Sequence, residues 1–343
     1  SSDLLHPSEA RRIAERDHGG VPWSRWGSYL SDRQWGTVRE DYSADGDAWR
    51  SFPHDHARSR VYRWGEDGLL GICDDQCRLC FAVALWNGVD PILKERPFGL
   101  SNPEGNHGED IKDYFFHLAN TPTHSFMRAL YKYPQRPFPY QQLLEENGRR
   151  NRDQPEYELV DTGIFNENRY FDVVVEYAKA APDDLLIQLR VINRGPETAP
   201  LTLLPSLWLR NTWCWGYPDE QPCGIGLAPD NADAASGAGI RTDELHHLGV
   251  YQLECDEPGR WIFTDNETNH ERLWGTANAS AFQKDGFHRY LIEGETGAVN
   301  PALRGSKAAR LMQRQLAPAE EWRVRLRLRS QAVLEADDGG GDP

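Results

Sequence analysis

The sequence predicts an all-β protein: a large antiparallel β-sandwich with long loops and a few short helices. Three observations carry that expectation. Well over a dozen runs read as strands against few helices, with the cleanest period-2 alternation at Trp322 to Arg329. Strand follows strand, without the strand–helix alternation that builds a parallel sheet. No fixed-period repeat appears, which disfavours a propeller or solenoid.

In chain order, Pro7-Ser8-Glu9 starts a short helix that Ser8 can cap, with Ile13 and Ala14 on one face and Gly19-Gly20 at its end. Pro22 to Gly27 reads as an aromatic turn, followed by a long loop. Val61–Trp64 and Leu69–Ile72 flank Gly65–Gly68 as a hairpin. A second hairpin joins the Leu70–Cys73 run to Arg78–Trp86 through Asp74-Asp75-Gln76. Leu79 to Trp86 is apolar on both faces, which marks a central strand. Residues 88–110 form a polar loop ending in Asn106-His107-Gly108-Glu109-Asp110. Asp113–Leu118 and Ser125–Tyr133 are strands turning at Thr121-Pro122, and Tyr140 to Arg150 is a short polar helix or lid. Tyr170–Ala178 pairs with Leu185–Ile192 across Pro182-Asp183-Asp184. Leu201–Arg210 is a strand in which Pro205 suggests an edge or a bulge. Asn211 to Gly216 is a further aromatic loop, residues 228–239 are a low-information loop, and Gly249–Glu254 and Trp261–Thr264 are strands. The expected organisation is therefore an N-terminal helix and aromatic, acidic loop at 1–59 packed on the sandwich, the sandwich itself at 60–330, and a flexible Gly/Asp tail at 331–343.

Apolar residues make up 39% of the 343, enough for a sizeable core, and the formal charge of −15 would be repelled by a nucleic-acid backbone or an anionic membrane. No apolar run approaches the roughly 20 residues needed to span a bilayer. The first residues lack a signal peptide's charged and apolar regions, so a cytoplasmic location is the default expectation. Six cysteines in a chain this long are not a disulfide scaffold. Cys73, Cys77 and Cys80 lie close together, but no second CxxC or HxxxH pair completes a zinc set, so buried or edge thiols in a reducing compartment are expected.

The stretch Gln34 to Trp49 concentrates the chemistry. It holds two tryptophans, an arginine and four carboxylates in sixteen residues, and runs on into Phe52-Pro53-His54-Asp55-His56. Flat aromatic faces beside acceptors and guanidinium donors suit a hydroxyl-rich ligand, a sugar; the plainer reading is a surface loop pinned by buried tryptophans. Glycoside hydrolysis needs two carboxyl groups across the scissile bond. Glu40, Asp41, Asp45, Asp47, Asp55, Glu109 and Asp110 offer candidates, but no spacing singles out a pair, and loop charges pairing with Arg39, Arg58 and Arg60 are the plainer reading for any one of them. His54-Asp55-His56 could open a metal site only with a third ligand such as His107; turn hydrogen bonding by Asp55 is the plainer role. A GxSxG serine, a P-loop and the Rossmann glycines are absent.

Several strings carry a family resemblance: Tyr29 to Ser43, Tyr62 to Gly68, Trp86-Asn87-Gly88, Lys94-Glu95-Arg96, Gly105 to Tyr114, Leu130 to Gln135, Phe171-Asp172-Val173, Glu176 to Lys179 and Leu209 to Trp213. They resemble bacterial relatives of the processing α-glucosidase I group, glycoside hydrolase family 63, over most of the chain. The resemblance implies an N-terminal super-β-sandwich followed by an (α/α)6 barrel that carries the acid and base of an inverting mechanism. Only the first part is matched, so no catalytic, metal or cofactor residue is carried over. It implies that Trp35, Arg39, Glu40, Asp41 and Tyr42 line one side of the sugar site: Trp35 stacks on a ring, Arg39 donates to hydroxyls, and Glu40 and Asp41 accept from them or orient Arg39. The implied partners are an oligosaccharide or glucoside and an (α/α)6 catalytic domain in cis or trans. A free-standing carbohydrate-binding module is the alternative, and an independently active enzyme using loop carboxylates a third reading.

Overall fold

The computed structural model describes residues 7–29, 53–61, 68–100, 104–105, 110–217, 221–229 and 237–339. Helix α1 (Pro7–Gly19) leads into β1 (Trp26–Tyr29), and a single turn α2 (His54–Ala57) precedes β2 (Leu69–Asp74) and β3 (Leu79–Trp86). A small ribbon, β4 (Gly99–Leu100) and β5 (Asp110–Ile111), is followed by β6 (Phe115–Asn120), β7 (Phe126–Pro134) and α3 (Tyr140–Arg149). The long strands β8 (Tyr170–Ala181), β9 (Asp184–Asn193) and β10 (Ala199–Leu209) come next, then β11 (Ile225–Leu227), β12 (Gly239–Thr242), β13 (Tyr251–Cys255) and β14 (Arg260–Thr264). The chain continues through α4 (His270–Trp274), α5 (Gly286–Leu291), β15 (Arg304–Gly305), β16 (Lys307–Leu316), β17 (Glu321–Ser330) and α6 (Gln331–Gly339).

These strands form two large antiparallel sheets. One has six strands in the order β1-β2-β3-β10-β16-β14, and the other nine in the order β15-β11-β12-β13-β17-β9-β8-β7-β6. Val173, Val175 and Tyr177 of β8, Leu185, Ile187, Leu189 and Val191 of β9, and Trp322, Val324, Leu326 and Leu328 of β17 face Phe81, Val83, Leu85, Leu203, Leu207 and Met312 of the opposite sheet. Burying each such side chain contributes about 1.5–3 kcal/mol. On β17 the intervening arginines face outward: Arg327 meets Asp184 at 2.7 Å and Arg329 meets Glu254 at 2.6 Å. The period-2 pattern in the sequence thus separates a core face from a charged cross-strand ladder.

The six-stranded sheet is covered on its outer side as well. Ala84, Leu204, Ile262, Ala309 and Leu311 pack there with Leu93 and with Phe287 of α5. This third layer explains why β3 is apolar on both faces, and the expected central position of β3 holds. The second hairpin, the β6–β7 and β8–β9 pairs and the helix from Tyr140 also hold.

Other expectations are corrected. The aromatic stretch turns at Trp23–Ser24 and runs from Trp26 to Tyr29 as an edge strand paired with β2, and the expected Val61–Trp64 hairpin strand falls, beyond Val61, on residues 62–67, outside the described residues. Strand β10 is internal, between β3 and β16. Pro205 is accommodated because pairing to β16 lapses over Leu204 and Pro205 while pairing to β3 continues. The described part of 331–343 is helix α6, its start fixed by Gln331 N–H donating to Val250 O at 2.9 Å, rather than a flexible tail. Strand β16 was not expected: Ala, Arg, Leu, Met and Gln favour helix, but pairing on both sides overrides that preference.

The N-terminus is fastened by buried polar contacts. Glu9 of α1 accepts from the Thr123 N–H at 2.9 Å, the Thr123 hydroxyl at 2.7 Å and the Ser125 hydroxyl at 2.7 Å, all near the β6–β7 turn. Lys179 donates to the carbonyls of Trp26 at 2.6 Å and Thr123 at 3.3 Å. Among the described residues, no helix is long and apolar enough to cross a membrane.

Candidate functional site

The third layer holds an open polar cleft of about 1000 Å3, walled by α2, α4, α5 and the loop from Gly275 to Gln283. Asn269 builds the α4 wall. Its side-chain oxygen accepts from the Arg272 N–H at 3.0 Å, capping the helix, and Gly275 ends it in the left-handed conformation at φ 66°. The Asn278 amide donates to the Asn269 oxygen at 3.1 Å, and the Asn278 oxygen accepts from the Glu271 N–H at 3.2 Å, so the small-residue loop is pinned to the same helix.

Asp285 forms the floor. It is 1% exposed and accepts from the Ser59 hydroxyl at 2.6 Å, the Asn269 amide at 3.0 Å and the Arg289 Nε at 3.1 Å. Arg289 also reaches Glu295 at 3.0 Å and the Gln283 oxygen at 3.0 Å. Arg272 holds Asp55 of α2 through both Nη2 contacts, at 2.9 and 3.0 Å, and Arg58 approaches Asp55 at 2.9 Å. Burial, then the neighbouring Arg272, pulls the Arg58 guanidinium below its ordinary value. The Leu93 N–H donates to His288 Nδ1 at 3.3 Å, which places the ring proton on Nε2, 3.1 Å from Glu293. Burial, then Arg58, lowers the pKa of His288 and keeps it neutral. Asp55, Asp285, Glu293 and Glu295 each therefore have a donor or cation in place. Such a surface offers polar edges to hydroxyl groups, and Glu271 of α4 adds a further carboxylate to its lining.

A second polar cluster lies buried beside the cleft. Lys94 meets Asp113 at 3.2 Å and sits 3.6 Å above the Phe138 ring. Lys307 meets Glu95 at 2.8 Å, and Glu95 also contacts Arg96 at 3.2 Å. Asp90, 2% exposed, has its carboxyl pushed up to about 6 by burial. These groups are sealed among aromatic rings and support the loops rather than face a ligand.

Trp35, Arg39, Glu40, Asp41 and Tyr42 lie outside the described residues, as do Asp45, Asp47, His107 and Glu109. Where the chain is described again, at Pro53, it enters a cleft wall directly. His54 is no metal ligand candidate: its ring lies edge-on to Phe98 at 5.0 Å and stacks on Tyr140 at 5.6 Å, and burial, then Lys94 and Arg96, lowers its pKa well below the ordinary value. Asp55 pairs with Arg58, as the charge-pairing reading expected, and with Arg272. Among the described residues, no group of three or more His, Cys, Asp or Glu side chains is arranged to hold a metal ion. The sequence shows Asn278-Ala279-Ser280 only as a glycosylation triplet and does not mark the residues from Asn269 to Glu295 as a site. A capping asparagine and a glycine six residues later were the available signal.

Fold and cleft define a large β-sandwich with a third layer that carries a polar, charge-compensated groove. No family model matches the chain. It is 41% identical over 334 residues to the uncharacterized protein YMR196W of Saccharomyces cerevisiae, in a match covering 88% of this chain and 30% of the yeast protein. The chain thus spans under a third of that relative's length. Among solved structures, a polysaccharide lyase, BACCELL_00875, is matched with a TM-score of 0.32 at 11% identity, over 74% of this chain and 25% of that one. The 4-alpha-glucanotransferase of Thermococcus litoralis is matched with a TM-score of 0.30 at 9% identity, over 81% of this chain and 30% of that one. Overlaps of this size do not establish a shared fold.

Proposed function

We propose that this chain is the β-sandwich part of a glycoside hydrolase similar to the family 63 α-glucosidases. In this reading it supports an (α/α)6 barrel supplied in cis or trans and lines one side of the sugar site, while the acid and base of an inverting reaction belong to the barrel. The observation that carries the proposal is the cleft of about 1000 Å3, lined by the partnered carboxylates of Asp285, Glu293 and Glu295 and by Glu271. Its polar edges can receive hydroxyls. The strings from Tyr29 to Ser43 and from Gly105 to Tyr114, which carry the family resemblance, support the same reading.

The Trp35–Tyr42 stretch ends eleven residues before α2 and supplies the aromatic stacking face in this account. Calorimetry with gluco-oligosaccharides tests the reading. Measurable affinity in the 343-residue chain, reduced about tenfold or more by Trp35→Ala, a loss of about 1.4 kcal/mol, is the expected result. Affinity untouched by Trp35→Ala would remove the predicted stretch from the site. A free-standing carbohydrate-binding module is the second reading, favoured by the wide mouth of the cleft; it predicts full affinity without any barrel.

A further inference from the structure

Three of the six cysteines meet at one end of the six-stranded sheet, on the side away from the main core. Cys73 on β2 and Cys80 on β3 are cross-strand partners, and Cys77 sits in the turn between them. The Cys77 and Cys80 sulfurs are 3.5 Å apart. Cys80 is fully buried against Ala82 and Trp208, whereas Cys73 and Cys77 are partly exposed. The turn is held rigidly. Asp74 accepts from the backbone N–H groups of Arg78 at 2.6 Å, Leu79 at 2.9 Å and Gln76 at 3.1 Å, and Arg210 ties in from β10's end through its N–H to Arg78 O at 3.0 Å. Cys77 itself adopts a left-handed φ of 55° in this turn.

We propose that Cys77 and Cys80 form an oxidisable dithiol, with Cys77 the attacking sulfur and Cys80 the resolving one, and a hydroperoxide such as hydrogen peroxide as oxidant. The environment separates the two roles. Cys77 receives hydrogen bonds from the Cys73 and Cys80 thiols and feels the Arg210 cation, which together hold it well below the ordinary thiol value. Burial holds Cys80 well above it, so Cys80 stays a thiol until it attacks. In the first step the Cys77 thiolate attacks a peroxide oxygen, the O–O bond breaks, and hydroxide leaves while Cys77 becomes a sulfenic acid. The hydroxide takes the Cys80 proton and becomes water. The Cys80 sulfur then attacks the Cys77 sulfur, the S–O bond breaks, and the sulfenic hydroxyl leaves as hydroxide, which gains in turn the proton Cys77 had released to solvent. Two thiols are oxidised to one disulfide and one peroxide is reduced to two waters.

The test treats the reduced, desalted 343-residue chain with one equivalent of hydrogen peroxide and then alkylates the remaining thiols. Cleavage after Arg78 separates Cys77 from Cys80, so a bridge appears as two linked peptides. The expected result is linkage of these peptides with four cysteines still alkylated, before any oxidation of the more exposed Cys214. Cys73→Ser keeps the link and Cys77→Ser abolishes it. Cys77→Gly, which suits the left-handed backbone and so retains the fold, also abolishes it. A link that survives Cys77→Ser, six alkylated cysteines after treatment, or Cys214 reacting first would overturn the proposal.

Discussion

Replacing Asp285 by asparagine tests how the cleft is held. The side chain keeps its shape but loses its charge, and one of its two acceptor oxygens becomes a donor. That donor then faces the Ser59 hydroxyl and the Asn269 amide, or else the Arg289 Nε, all of which now donate to the carboxylate at 2.6 to 3.1 Å. Removing one partner of a buried charge pair costs about 3–5 kcal/mol. Arg289 keeps Glu295 and Gln283, which places the expectation for Asp285→Asn near the low end, about 3 kcal/mol. Glu295→Gln is the control: its side chain is 49% exposed, and the expected cost is below about 1 kcal/mol. Urea denaturation at pH 7, comparing midpoints at a common slope, reads both. A loss under about 1 kcal/mol for Asp285→Asn, equal to the control, would refute the view that this residue anchors the cleft floor.

The pH dependence of Asp90 gives a second test. Its carboxyl is raised from 3.8 to about 6 in the folded chain, so folding favours the protonated form; its contribution is fully present below pH 4 and is lost as pH rises through about 6. Asp90→Asn is therefore expected to match the parent near pH 4 and to exceed it by about 2–3 kcal/mol at pH 8, measured by denaturation at both values. Gly305→Ala would place a Cβ against the Thr264 backbone carbonyl, and a loss of about 1–3 kcal/mol is expected by the same assay. Glu9→Ala leaves the buried Thr123 N–H and two hydroxyls without their acceptor; hydrogen exchange should show faster opening at the β6–β7 turn, and unchanged protection there would count against the fastening role.

Much of the sandwich was legible because its strands are long and alternate in burial. Arg323, Arg325, Arg327 and Arg329 between Trp322, Val324, Leu326 and Leu328 state both the strand and its inner face. The strands misread or missed were short or disguised. β1 is four residues with two aromatics, and β16 is built from helix-favouring residues that only its neighbours β10 and β14 hold extended. The third layer left one sign, the doubly apolar β3, but not its partner, since Phe287 is remote in sequence from both Ala84 and Leu204. The cleft was invisible for the same reason. Asp285 gains its role from Ser59, 226 residues away, and no local pattern announces such a contact.

The central claim is that this sandwich receives a glycan without cleaving it. Incubating the purified 343-residue chain with malto- and gluco-oligosaccharides and measuring released glucose tests it directly. The account predicts binding by calorimetry with no glucose above the buffer blank. Robust turnover by this chain alone, abolished by neutralising a cleft carboxylate such as Glu271→Gln, would contradict it.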